Sequence, residues 1–232
     1  MRKAGACAGA HPVGDCHVNC RAWIVRRSGP DVRTRRLRIG LACVAALLVA
    51  TAGAAAHPLV QAAREQIGKT LVYDPAYRKI AFPNGDVPED RGVCTDVVIR
   101  ALRTVYAYDL QARVNGDIRS NFEIYPKAWG LGRADPNIDH RRVPNLQVFF
   151  RRRGWDVPVT AQPGDYQPGD LITQRLPGNL PHVAIVSDRL ATHGGPLVIH
   201  NIGRGTREED TLFAFPITGH YRLPAGFVVP SR

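Results

Sequence analysis

Past residue 57 the apolar pattern changes period once, from the three-to-four spacing of helices to the short alternating runs of strands. Leu59, Val60, Ala63 and Ile67 share one face of a short helix over 58–67, which Gly68 can end. Cys94, Val97, Val98, Ala101, Leu102 and Val105 share one face of a second helix, with Arg100 and Arg103 away from it. Asp96 and Arg100 stand four apart and are expected as an ion pair on its solvent side. Residues 74–92 read as loop and 106–145 as irregular. Residues 143–153 offer a helix with Leu146, Phe149 and Phe150 inward, closed by Gly154. Strands are then expected over 170–174, 182–187, 197–201 and 219–222, with 227–229 as a further candidate. Turns such as Pro163-Gly164-Asp165 and Pro168-Gly169-Asp170 separate them. Helices first and hairpin-spaced strands afterwards give an α+β domain, N-terminal helices packed on a C-terminal antiparallel β-sheet.

Residues 1–56 read differently from the rest. An Arg-rich stretch ends at Arg38, an apolar run fills 39–50, and small residues follow to Ala56. That order is an export signal over about residues 34–56, cut before His57, and implies a periplasmic destination. A retained membrane anchor is the competing reading, but the apolar run falls short of the roughly 20 residues a span needs. The division is therefore 1–56 as extension and signal and 57–232 as one folded domain, with no membrane span once the signal is removed.

The formal charge of +11 suggests nucleic acid until it is divided along the chain. Residues 1–56 hold 9 Lys and Arg against 2 Asp and Glu, leaving 22 against 18 beyond them. A surplus so small is ordinary for a protein surface, and no nucleic-acid partner is expected.

Four of the five cysteines (Cys7, Cys16, Cys20 and Cys43) lie in the leader, so the folded part keeps only Cys94. A lone thiol is either a small core residue or a reactive group. Gly92-Val93-Cys94 puts it at a helix start, where unpaired N–H groups and the helix dipole favour the thiolate. The competing reading is that Cys94 is the first core-facing residue of an amphipathic helix. His182 heads one apolar strand and His200 closes the next, so adjacent strands can bring both imidazoles to one edge. Cys94 then serves as nucleophile and His182 as general base. His200 orients the base, and Asn201 is the reserve because successive strand residues face opposite sides. The same trio is an acceptable zinc set with an open fourth position, but no close-spaced ligand pair accompanies it, and no metal or cofactor is expected. His140 and Arg141, in the long segment between Cys94 and His182, are either binders of a substrate carboxylate or members of a solvated loop.

Leu71-Val72-Tyr73, Val93-Cys94-Thr95, Pro168-Gly169-Asp170-Leu171, His182-Val183-Ala184-Ile185 and Val198-Ile199-His200, in this order, resemble the pattern of NlpC-type cell-wall peptidases. Residues 92–102, 129–146 and 200–221 look more closely like a bacterial family of unknown function, the YijF-like proteins, over essentially residues 60–229. The resemblance implies a papain-like (NlpC-type) fold, a Cys-His-His triad and an amide bond in peptidoglycan stem peptides as target. Tyr73 joins the triad as a hydrogen-bonding partner under the same resemblance, and Asp96 is counted among the supporting residues. The chain departs from the pattern at Val93, where an Asp is usual, and at Asp96, near a usual Gly. Acyl transfer on the same fold and a non-catalytic wall-binding module are the alternative functions.

Overall fold

The computed structural model describes residues 56–227, so the expected export signal lies outside the described residues except for Ala56. Pro58, whose fixed φ suits a first helical position, opens α1 (Pro58–Arg64). Leu59, Val60 and Ala63 are fully buried, whereas Ile67 lies past the helix end and is exposed. Two short parallel strands, β1 (Val72–Tyr73) and β2 (Arg91–Gly92), close the long loop at its ends.

Helix α2 (Cys94–Tyr106) follows at once and buries Cys94, Val97, Val98, Ala101 and Leu102, as its spacing predicts. The expected solvent-side pair of Asp96 and Arg100 is not there, because both residues are buried. Arg100 donates to the Asp86 carboxylate at 3.0 and 3.1 Å, to Thr70 Oγ1, and to the carbonyls of Val87, Pro88 and Arg91. These bonds lay the 86–91 loop across a helix face that an isolated helix would leave in water. Asp96 pairs elsewhere, at the site described below.

The 106–145 stretch contains a helix that its composition conceals, α3 (Leu110–Ser120). Asp109 caps it, accepting from the Ala112 N–H at 3.0 Å. Leu110, Val114 and Ile118 keep helical spacing and are buried, while Asn115 and Gly116 between them weaken the signal. Helix α4 (Val143–Arg152) buries Leu146, Phe149 and Phe150, and Gly154 follows it with φ 67°.

The remaining strands are β3 (Asp156–Val157), β4 (Leu171–Leu176), β5 (Leu180–Leu190), β6 (Pro196–Asn201), β7 (Thr206–Glu209) and β8 (Ile217–Tyr221). They form one six-stranded antiparallel sheet in the order β3-β8-β4-β5-β6-β7, so the protein is α+β. Alternation divides the strand residues between two apolar clusters. Leu171, Val183, Ile185, Ile199 and Tyr221 pack with Val98, Leu102, Leu146, Phe149 and Phe150 from the helices. Ile172, Ala184, Val186 and Val198 pack on the other face with Tyr166 and Leu212. No helix among the described residues is long and apolar enough to cross a membrane.

Candidate active site

The residue before α2 is Val93, which has no side-chain oxygen to cap the helix. Asp96, in the first turn, reaches back instead and accepts from the Val93 N–H at 2.6 Å. Gly92 makes room for this return, since a Cβ there would stand 3.0 Å from both Cβ and Oδ2 of Asp96.

The same carboxylate takes Arg141 in a two-pronged pair, Nε to Oδ1 and Nη2 to Oδ2, both at 2.9 Å. Arg141 also donates to the carbonyls of Asp74 and Ala76, and Thr95 Oγ1 donates to the Arg141 carbonyl at 3.2 Å. The exit from β1, the 139–141 turn and the start of α2 are thus tied into one unit. Neither expectation for His140 and Arg141 holds: both are buried and not in a solvated loop, and the Arg141 fork is taken by Asp96 and so is not open to a substrate carboxylate. His140 is buried with Nδ1 unpartnered, and burial, then Arg141 and Arg103, push its pKa down to about 3. Arg141 thus supports the start of α2 through Asp96.

Cys94 is only 5% exposed. The backbone N–H dipoles of Val183, Thr95 and Cys94 itself favour the thiolate. Burial outweighs them, the Asp96 charge adds to it, and the thiol is pushed up to about 11. The lowering expected from a helix start is therefore overcome, and at neutral pH the group is a protonated thiol. The Val183 N–H belongs to the peptide that follows His182, so the dipole that most favours the Cys94 thiolate comes from that strand end.

Strands β5 and β6 pair at Ile185–Ile199 and Val186–Val198. Beyond those pairs, towards His182 and Asn201, the segment leading into α2 docks on the sheet. Asn201 Nδ2 donates to the Gly92 carbonyl at 3.0 Å, so Asn201 holds the segment that leads into Cys94 and not His182. Alternation puts His182 and His200 on the face opposite to Asn201, and His182 Nε2 lies 2.9 Å from His200 Nδ1. His200 Nε2 lies in turn 3.0 Å from Glu209 Oε2 on β7. Burial, then His200, push the His182 pKa down to about 3. Burial also lowers His200, with Glu209 opposing the shift. Tyr73 is partly exposed, and its phenol is raised by burial first and then by the neighbouring Cys94 and Asp96.

Among the described residues no group of three or more His, Cys, Asp or Glu is arranged to hold a metal ion.

A family model described as a domain of unknown function (DUF1287) matches residues 60–223. The chain belongs to the DUF1287 family. The DUF1287 match runs from α1 to just past β8 and so includes every residue of this site. The chain is also similar to "Uncharacterized protein YijF" of Escherichia coli (strain K12), with 54% identity over 164 residues, or 71% of this chain and 80% of that one. No solved structure matches.

Glu209 is the member of the constellation that sequence reasoning missed. Its strand, Thr206-Arg207-Glu208-Glu209, has no apolar residue to announce it. The available signal was Gly203 and Gly205 after β6, which mark a turn able to bring the next charged residues back past His200.

Proposed function

We propose that this protein is an exported cysteine hydrolase, an amidase or endopeptidase of the papain-like NlpC type, acting on peptidoglycan stem peptides in the periplasm. The observation that carries the reading is the His182–His200 hydrogen bond at a strand end whose next peptide N–H, that of Val183, favours the Cys94 thiolate. A nucleophile beside a base, and a third group orienting the base, are what acyl transfer requires. The α+β order of the fold and the DUF1287 match over the whole site are compatible with it.

In this reading Cys94 transfers its proton to His182 as the sulfur attacks the amide carbonyl. The carbonyl oxygen takes the electron pair and is met by the backbone N–H at the start of α2. The C–N bond then breaks, His182 returns the proton to the leaving amine, and a thioester remains on Cys94. Water, deprotonated by His182, releases the acid and restores the thiol. With the thiol pushed up and the imidazole pushed down, both groups are neutral at rest, and the attack in this reading is base-assisted rather than by a preformed thiolate. The residues covering Cys94 must move for substrate to reach it.

The burial of Cys94 also favours a second reading, a wall-binding module that keeps the arrangement without turnover. Digestion of purified sacculi, with released fragments identified by mass, separates the two. Products from wild type and none from Cys94→Ser support the hydrolase. Retention on sacculi with no release from either supports the binding module, and equal release from both removes Cys94 from the chemistry.

A further inference from the structure

We infer that Glu209 is a positioning residue for the proposed base: it fixes the tautomers of both histidines so that His182 Nδ1 is the nitrogen that takes the Cys94 proton. The inference rests on the hydrolase reading for its chemistry, but the hydrogen-bond chain that carries it does not. A carboxylate can only accept, so the Glu209 contact requires the hydrogen of His200 to be on Nε2. His200 is buried and neutral, which leaves Nδ1 with its lone pair. Nδ1 therefore accepts, and the hydrogen shared across 2.9 Å belongs to His182 Nε2. His182 is neutral as well, so its second nitrogen, Nδ1, carries the free lone pair. Among the described residues the hydrogen bond of His182 runs through Nε2 to His200, and none occupies Nδ1.

The order of the chain matters because imidazole alone shows no preference strong enough to select one nitrogen. Without the carboxylate, His200 can carry its hydrogen on Nδ1, facing His182. His182 must then present its lone pair at Nε2 and its hydrogen at Nδ1, and it can no longer accept from the thiol. Strand β7 is what delivers the carboxylate. It pairs His200 with Arg207, and alternation places Glu209 diagonally across from His200 on the same face. Glu208, one residue earlier, points the other way and binds Arg64 and Ser187, so it cannot substitute.

The test is long-range proton–nitrogen NMR of the imidazoles at pH 7, together with turnover on sacculi. Wild type should show hydrogen on Nε2 of both His182 and His200. Glu209→Leu should populate the Nδ1–H form of His200 and disturb His182, and Glu209→Asp should restore the wild-type pattern at least in part. If wild type turns over sacculi, Glu209→Leu should lower turnover by about 10²-fold or more, the low end of what a general base contributes, and Glu209→Asp should recover part of it. Unchanged tautomers in a folded Glu209→Leu overturn the inference whatever the activity. Tautomers that shift as stated in a protein with no turnover uphold the positioning role and remove the hydrolase reading alone.

Discussion

Asp96 and Arg141 meet as a two-pronged ion pair, 2.9 Å at each prong, with side chains only 3% and 2% exposed. Water contributes little there, so the pair is valued by what remains when one partner is lost. Arg141→Met leaves a buried carboxylate without its cation and should cost about 3–5 kcal/mol of stability. Asp96→Asn together with Arg141→Met should recover most of that loss. Urea midpoints of the three proteins check this, and a single-variant loss below about 1 kcal/mol would show that the pair does not clamp the helix start.

Asn201 should behave differently from its neighbour His200 although they are adjacent in β6. It is fully buried and its amide holds the Gly92 carbonyl two residues before the nucleophile. Asn201→Ala strands that carbonyl and should cost about 1–3 kcal/mol. Turnover should fall with it, while the His182 and His200 imidazole resonances stay in place. Displaced imidazole resonances would mean that Asn201 also holds the base.

Alkylation of Cys94 tests the resting protonation state. With the thiol pushed up to about 11, iodoacetamide should react more slowly at pH 7 than with free cysteine, and the rate should climb steadily into the alkaline range. A rate above that of free cysteine at pH 7 would establish a thiolate already paired with His182, and the neutral-pair account of the attack would fall.

Two buried histidines should weaken the fold in acid. His140 and His182 are each lowered from the ordinary 6.5 to about 3. Below pH 6.5 the unfolded chain binds protons that the folded one refuses, so the stability they contribute is full above 6.5 and is lost as pH falls towards 3. His140→Gln should flatten the fall without abolishing it, because His182 titrates in the same window. Urea midpoints between pH 4 and 8 decide, and a variant with an unchanged slope would exclude His140 as a source.

Turn chemistry made most of the sheet legible in the sequence. Pro168-Gly169-Asp170 and the apolar alternation after it locate β4, β5 and β6, and placing a histidine at the ends of two adjacent strands was enough to foresee their contact. What escaped was structure made by partners distant in sequence. Strand β7 is built of charged residues whose alternate members serve opposite faces, which no hydropathy pattern reveals. Asp96 and Arg100 obey helical spacing, yet a loop and a turn from elsewhere cover them, and each takes a partner that the spacing cannot name. Helix α3 depends on its Asp109 cap and three apolar residues, diluted by Asn115 and Gly116.

The Val183 N–H and the burial around Cys94 bear on more than attack at a carbonyl. A sulfur kept protonated and out of solvent exchanges poorly with disulfides and resists peroxide, because both reactions begin from an accessible thiolate. The folded region has no second cysteine to shield the first by pairing, so in oxidising surroundings this enclosure is its safeguard. Under the proposed export the folded region would arrive with this thiol intact, and the movement that would admit a substrate would also be the moment at which it is vulnerable.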